Sequence, residues 1–297
     1  LLGLGVLPLT LLLSRAEQWF LLLLTYFVFF PLLNKKRSGG GLALHVVVFL
    51  ICTALLFYTH PKAAFFFPVV ICSGWITFRG RRWLQALALL FAFVCLIQSV
   101  QAAKELFGCT NAPFLASAFS KQTSSLSELA VRPVGLLLEL GDNFVSFPEK
   151  LIGHAVFQAT YQSFWLPSTP AGEGLRTFAR LVNLLVAGCL LVVIIGGVSF
   201  PPAAFAIALN RRSLGDQHII AAVLWFSLVG HLAIYRTWNF YGGILVFGIL
   251  GLLITLSVGG IPWSKPWSKV GAGVLVSVGA VFLLSAAVLA SSLMPRL

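Results

Sequence analysis

The sequence predicts an all-α protein: a polytopic transmembrane helix bundle of about nine spans, with one external loop region of short interfacial helices. Of its 297 residues, 59% are hydrophobic and only 9% are charged, and the mean hydropathy is +0.98. A chain this apolar cannot fold as a water-soluble globule. Its apolar runs lack the alternating pattern of barrel strands. Helices therefore supply the spans, because a helix satisfies its own backbone hydrogen bonds in lipid.

The apolar runs divide the chain into three parts. Residues 1-100 hold the first five predicted helices, residues 101-179 form the external loop region, and residues 180-297 hold the last four helices. The predicted spans are 1-13, 19-33, 42-58, 64-77, 83-100, 181-200, 218-234, 242-258 and 270-293. The first run is short and is not preceded by Met. We therefore expect it to be the remainder of a longer span in an N-terminally truncated chain.

Charge separates the gaps between these runs into two sets. Alternate gaps at 34-41, 78-83, 210-217 and 261-269 hold ten basic residues and one acidic residue, a net charge of +9. The opposite gaps and the C-terminal tail hold ten basic and seven acidic residues, a net charge of +3. Short loops rich in Lys and Arg stay in the cytoplasm. The pattern predicts a multi-pass protein of a bacterial inner (plasma) membrane, with residues 101-179 on the external, periplasmic side.

The basic residues also bear on partners. They lie in small clusters beside apolar runs, where anionic lipid headgroups attract them. We therefore expect membrane lipid as a partner and no nucleic acid. The oligomeric state does not follow from the sequence.

The external loop region is expected to lie on the membrane surface. Its stretches 126-140 and 147-165 contain apolar residues at helical spacing, interrupted by polar ones, which is typical of interfacial helices. Four prolines, Pro133, Pro148, Pro167 and Pro170, are expected to break the region into short pieces.

Metal and cofactor chemistry has no sequence support. Cys52, Cys72, Cys95 and Cys189 fall inside apolar runs, where a free thiol acts as a small apolar side chain, and Cys109 is the one cysteine in a polar segment. Neither a Cys-x-x-Cys pair nor a zinc-type Cys/His spacing occurs. The Gly-x-Ser-x-Gly, P-loop and dinucleotide motifs are also absent. We expect no metal and no cofactor.

Ionisable residues are rare inside the predicted spans. His45 and His231 are the candidates, and both are interpreted as hydrogen-bonded packing residues. Ion- and proton-coupled transporters expose acids or bases along their path. The scarcity of ionisable residues inside the predicted spans therefore counts against a pump or antiporter.

The candidate binding residues lie at the outer ends of the helices. The loop 58-62 reads Tyr-Thr-His-Pro-Lys, and the loop 235-241 reads Tyr-Arg-Thr-Trp-Asn-Phe-Tyr. Cations at headgroup depth make charge-assisted hydrogen bonds to phosphate oxygens, and neighbouring aromatics pack a lipid stem or a sugar face. Ordinary anchoring of cations and aromatics at the interface is the competing interpretation. The predicted substrate-binding residues are His60, Lys62, Arg236, Trp238, Asn239 and Tyr241, with Arg176 and Arg180 entering the next helix from the same side.

The stretch from Thr59 to Pro68, Thr-His-Pro-Lys-Ala-Ala-Phe-Phe-Phe-Pro, resembles external loops of the GT-C superfamily of polytopic membrane glycosyltransferases. The resemblance implies a polyprenyl-phosphate-linked sugar as donor, an acid in the first external loop as base, and basic residues that hold the donor phosphate. His60, Lys62 and Arg236 take the phosphate role under this reading. The chain departs from the family pattern because no Asp-Glu or Asp-Asp pair occurs near its start. Glu17 is the only acid before Glu105, and no catalytic residue is assigned.

Two function classes follow from these observations. The first is a polyprenyl-phosphate-sugar-dependent glycosyltransferase that acts on a lipid-linked saccharide at the outer leaflet. The alternative is a non-catalytic transporter or flippase component of envelope polysaccharide assembly, and a structural membrane protein is a third reading. An acid within reach of both His60 and Lys62 in a lipid-accessible external cleft would favour the enzyme. A continuous polar path between the two faces would favour transport.

Overall fold

The computed structural model describes residues 16–33, 40–107, 124, 131–156, 170–210, 212–235 and 240–258. Over these ranges the protein is helical and contains no strand, which confirms the predicted all-α class. The elements, in chain order, are α1 (Ala16–Leu33), α2 (Gly40–Thr59), a 3-10 helix (Pro61–Phe66), α3 (Phe67–Thr77), α4 (Arg82–Phe107), α5 (Pro133–Val156), α6 (Pro170–Asn210), α7 (Asp216–Ile234) and α8 (Phe240–Val258).

Part of the set of nine predicted spans corresponds to helices that could cross a membrane. Within the described ranges, five segments are long and apolar enough to cross a membrane: Ala16–Leu33, Gly41–Thr59, Arg82–Glu105, Ala187–Asn210 and Asp216–Ile234. The predicted spans 64-77 and 242-258 correspond to the shorter apolar helices Pro61–Thr77 and Leu245–Ser257. The predicted spans 1-13 and 270-293 lie outside the described residues.

Helices α4, α5 and α6 extend beyond their predicted bounds, and α4 continues past the predicted end at residue 100 to Phe107. The span predicted at 181-200 belongs to α6, which runs from Pro170 to Asn210. At 1.5 Å per residue its 41 residues reach about 60 Å, roughly twice the thickness of a bilayer core. Helix α5 runs from Pro133 to Val156 without a break at Pro148, so the expectation that Pro148 ends a short piece was wrong.

Helix α6 also passes through Pro201 and Pro202. Proline has no backbone N–H, so Pro202 cannot donate to the carbonyl four residues earlier, which is that of Val198. The indole Nε1 of Trp225 on α7 donates to this Val198 oxygen at 2.8 Å. A neighbouring helix thus satisfies the carbonyl that proline leaves free, which is how membrane helices tolerate proline.

Aromatic rings fill the core between α1, α2 and the 3-10 helix. Phe20 packs edge-on against Phe66, and Phe27 against Phe49, with ring centroids 5.4 Å apart in both pairs. All four side chains are fully buried.

Glycine permits close packing of α6 against α8, because a Cβ on Gly197 of α6 would lie 2.5 Å from the Leu250 side chain of α8. Small residues at such crossings are typical of membrane helices.

Polar contacts show which loops share an end of the bundle. At one end, the guanidinium of Arg79 binds both carboxylate oxygens of Asp216 at 2.6 and 3.3 Å. This joins the gaps 78-83 and 210-217, both assigned to the cytoplasmic side from charge. At the other end, the Ser124 amide donates to the Ile234 carbonyl at 2.8 Å. The external loop region and the end of α7 therefore lie together, as alternating spans require.

Candidate functional site

The candidate site begins with the turn between α2 and the 3-10 helix. His60 has an extended backbone and precedes Pro61, whose fixed φ suits the first position of a helix. The His60 Nδ1 accepts a hydrogen bond from the backbone N–H of Lys62 at 3.1 Å. In the neutral ring the proton therefore lies on the other nitrogen, Nε2. The local turn thus fixes both the orientation and the tautomer of His60.

An acid faces that second nitrogen. The Glu17 Oε1 in the first turn of α1 lies 3.7 Å from the His60 Nε2. Both side chains are largely removed from solvent, with 14% of Glu17 and 22% of His60 exposed. This places an acid within reach of His60, which is one part of the arrangement that would favour an enzyme.

Lys62 lies deeper than its sequence position suggests. It is 6% exposed, whereas a cation in a short external loop is expected to point into water or headgroups. Its Nζ lies 5.2 Å from the centre of the Tyr235 ring, within the range of a cation–π interaction. Lys62 is also in electrostatic range of Glu17. The ammonium group therefore lies over an aromatic face and in the field of one acid.

Aromatic rings pack beneath Lys62 and around His231. His231, fully buried on α7, lies with its ring centre 4.6 Å from that of Tyr235, 5.3 Å from Phe65 and 5.9 Å from Phe66. Burial, with a smaller contribution from the charge of Glu17, raises the pKa of the Tyr235 hydroxyl. Tyr235 therefore stays neutral at physiological pH and offers its ring to Lys62. We call Glu17, His60, Lys62, His231 and Tyr235 the outer cluster.

The external loop region is attached directly beside the outer cluster. The buried Asn143 of α5 donates from Nδ2 to the Ala233 carbonyl at 2.9 Å and to the Ser124 Oγ at 3.1 Å. Ser124 in turn donates from its backbone to Ile234 and from its hydroxyl to Glu139. The last carbonyls of a helix lack partners within the helix. Asn143 and Ser124 supply those partners at the residues that lead into Tyr235.

The predicted site residues have different outcomes. His60 and Lys62 lie together in the outer cluster, whereas Arg236, Trp238 and Asn239 lie outside the described residues. Tyr241 lies in the first turn of α8. Arg176 and Arg180 fall within α6. Tyr58 is exposed and donates its hydroxyl to Gln98 across the α2–α4 contact.

Three members of the outer cluster were absent from the predicted site. Glu17 was noted as an isolated acid, but no neighbouring acid marked it as catalytic. His231 was interpreted as a packing residue, and its ring contacts agree with a packing role. In the sequence, Tyr235 is only the first residue of the loop 235-241. The sequence signal that could have grouped these residues is the alternation of the spans. The gaps 14-18, 59-63 and 235-241 all lie on the same side of the predicted topology.

The other polar candidates are local. The His45 Nδ1 lies 2.5 Å from the Gly41 carbonyl, one turn earlier in α2, and its ring is 4.9 Å from that of Phe30. Cys52, Cys72, Cys95 and Cys189 are free thiols, and Cys109 lies outside the described residues. In the part of the chain that the structure describes, no group of three His, Cys, Asp or Glu side chains is arranged to hold a metal ion.

The outer cluster can do two things chemically. An acid beside an imidazole can accept a proton, and a buried ammonium can stabilise an anion that enters the site.

Comparison of the chain with protein-family models, with curated proteins and with solved structures found no match.

Proposed function

We propose that this protein is a polyprenyl-phosphate-sugar-dependent glycosyltransferase of a bacterial inner membrane, acting at the outer leaflet. The observation that carries the proposal is the position of Glu17, 3.7 Å from His60 and in electrostatic range of Lys62. Glu17 and the buried Lys62 thus belong to one cluster at the ends of apolar helices. A lipid-linked sugar phosphate presents its reacting atoms at this depth.

Each member of the pair has a role in the transfer. The acceptor hydroxyl attacks the anomeric carbon and gives its proton to the Glu17 carboxylate, as in general-base catalysis. The new C–O bond forms as the bond between the anomeric carbon and the phosphate oxygen breaks. Polyprenyl phosphate leaves with the electron pair of that bond. Lys62 stabilises the negative charge that develops on the leaving phosphate.

His60 positions the acid in this scheme. Its Nδ1 already accepts from the Lys62 amide at 3.1 Å, and its Nε2 faces Glu17. Neither nitrogen is directed to a substrate hydroxyl. We therefore assign His60 to holding Glu17, in place of the phosphate contact expected from sequence. Lys62 keeps its assigned phosphate role, and Arg236 remains its proposed partner.

A binding experiment tests the phosphate role. Purified protein in lipid nanodiscs is titrated with undecaprenyl phosphate and, in parallel, with undecaprenol, which lacks the phosphate. Loss of one charge-assisted hydrogen bond costs about 1.5–3 kcal/mol, or roughly ten- to a hundredfold in affinity. Lys62→Met should weaken binding of the phosphate by that factor and leave binding of the alcohol unchanged. Lys104→Met, at an exposed position at the end of α4, is the matched control.

An activity experiment tests the reaction itself. Membranes that contain the protein are given a panel of radiolabelled polyprenyl-phosphate hexoses and pentoses, and release of polyprenyl phosphate is followed. Glu17→Gln should reduce the rate by about a hundredfold or more, the usual contribution of a general base. Glu105→Gln, an exposed acid at the end of α4, should be nearly silent. Movement of an intact lipid-linked sugar across proteoliposomes, without its cleavage, would instead identify a flippase and overturn the proposal.

A further inference from the structure

Helix α5 is amphipathic in an unusual way. On a helical wheel at about 100° per residue, its polar residues occupy one arc, formed by Asp142, Ser146, Glu139 and Lys150. Asn143 lies beside this arc, and apolar residues fill most of the remaining circumference. A helix that only packed against the bundle would need apolar residues on the side that faces the bundle. In α5 the apolar surface extends beyond that side.

One part of this apolar surface faces the protein. Leu136, Phe147 and Leu151 are buried, and Asn143, next to Leu136 on the wheel, makes the hydrogen bonds to Ala233 and Ser124. This protein-facing stripe seats α5 on the end of α7.

A second stripe lies on the opposite side of α5 and is exposed. Its members are large apolar residues: Val131 is 83% exposed, Leu138 72%, and Val134, Leu137 and Val145 are between 62% and 77%. Val131 immediately precedes the helix, and the others follow helical spacing. In water this stripe would be unfavourable, at about 25 cal/mol per Å² of exposed apolar surface.

The depth of this stripe is set by its attachment. The Asn143 side chain bonds to Ala233 at 2.9 Å, and Ala233 belongs to the last turn of the span Asp216–Ile234. Helix α5 is therefore held at the level where a membrane-crossing helix ends. At that level an apolar surface that does not face the protein meets the acyl chains just beneath the headgroups.

We propose that α5 lies in the outer lipid–water interface, with the stripe Val131, Val134, Leu137, Leu138 and Val145 in contact with lipid acyl chains and the polar arc around Ser146 turned to water. A second copy of the chain fits the stripe poorly. Five side chains are far fewer than the 20–30 residues per partner of a standard protein interface. Lipid contact also continues the apolar outer surface of the neighbouring spans. This inference does not depend on the proposed enzymatic activity.

Spin-label accessibility in liposomes tests the proposal. Nitroxides are placed one at a time at Leu138→Cys and Ser146→Cys on α5 in a background without the native cysteines. Leu90→Cys serves as the lipid control, because Leu90 is 64% exposed on the span α4. Collision with apolar oxygen and with a water-soluble nickel chelate is then measured for each label.

We expect position 138 to resemble position 90, with oxygen collisions several-fold above chelate collisions, and position 146 to show the reverse ratio. A label at 138 that meets the chelate as freely as one at 146 would put the stripe in water and refute the proposal. A label at 138 shielded from both reagents would refute it in favour of a protein partner. Val145→Cys, on the same stripe, repeats the measurement if Leu138→Cys does not fold.

Discussion

The Glu17 Oε1 lies 3.7 Å from the His60 Nε2, and the two residues come from different helices. Glu17 is in the first turn of α1, and His60 caps the 3-10 helix after α2. The contact makes an acid, an imidazole and the buried Lys62 one electrostatic unit. A change to any one of the three is therefore expected to alter the other two.

Charge compensation within this unit can be measured by a double-mutant cycle. Glu17→Gln keeps the shape of the side chain but removes the charge that offsets Lys62. We expect the free energy of unfolding to fall by about 1–3 kcal/mol, the cost of leaving a buried polar group poorly paired. Because the double variant Glu17→Gln/Lys62→Met has no buried charge left to compensate, it should be more stable than Glu17→Gln alone.

Reversible unfolding in mixed micelles provides the measurement for this cycle. Glu105→Gln serves as the control, since an exposed acid at the end of α4 contributes within about 0.5 kcal/mol. Equal stability of the single and double variants would mean that Glu17 and Lys62 do not compensate each other.

The attachment of α5 to α7 is expected to control local opening of the chain around Tyr235. Asn143→Leu keeps a buried side chain but removes the donors to Ala233 and Ser124. Each hydrogen bond contributes about 1 kcal/mol, so the loss of both, about 2 kcal/mol, should make amide exchange at Ser124 roughly thirtyfold faster. Hydrogen-exchange mass spectrometry in nanodiscs measures this change.

The matched control for Asn143 is Ser146→Ala on the same helix. The Ser146 hydroxyl donates only within α5, to the Asp142 carbonyl at 2.7 Å and more weakly to Asn143. Its removal should leave exchange at Ser124 unchanged. If Asn143→Leu also leaves it unchanged, the attachment does not depend on this side chain.

Close packing of α6 on α8 predicts a sharp difference between two glycines. A Cβ at Gly197 would lie 2.5 Å from the Leu250 Cδ2 and 3.1 Å from the Leu250 Cα. Because the second of these atoms is backbone, rotating the side chain cannot relieve the clash. Gly197→Ala should therefore destabilise the protein by about 1–3 kcal/mol.

Gly188 in the same helix is the comparison for Gly197. A Cβ at Gly188 meets nothing within 4 Å, and alanine is the better helix former by up to about 1 kcal/mol. Gly188→Ala should be neutral or stabilising in a thermal unfolding assay. The packing explanation fails if the two alanine variants unfold at the same temperature.

The predicted orientation can be tested at the two ends of α4. Arg82 and Lys104 are both exposed, and the charge asymmetry assigns the first to the cytoplasmic side and the second to the external side. In a background without Cys109, an impermeant maleimide applied to intact cells should label Lys104→Cys and leave Arg82→Cys unlabelled until the cells are lysed. The opposite pattern would reverse the topology and place the outer cluster in the cytoplasm.

The parts of the site that sequence could predict were those that are local along the chain. His60 and Lys62 are two residues apart and are fixed by the turn at Pro61, so their proximity followed from their spacing. The alternation of the spans puts Glu17 on the same side of the predicted topology as His60. Alternation predicts only the side of the membrane, and it does not predict which residues are in contact. Which of several acids on that face meets His60 depends on how α1 packs against α2, through rings such as Phe27 and Phe49, and no local pattern encodes that pairing.

The helix boundaries show the same limit. The predicted span 181-200 ends just before Pro201 and Pro202, and proline removes a backbone donor. Helix α6 continues past them, and the Trp225 indole compensates at Val198. The compensating residue is on another helix, so the local sequence gives no sign of it.

The ion pair between Arg79 and Asp216 has a consequence for motion. It joins the end of α3 to the start of α7, while at the far ends Phe65 and Phe66 pack on His231. The first and second halves of the chain are thus tied together at both faces. An alternating-access carrier must rock its halves past each other, and here that rocking would have to break the pair and the ring contacts in turn. A frame tied at both ends would keep the side chains of the outer cluster in register.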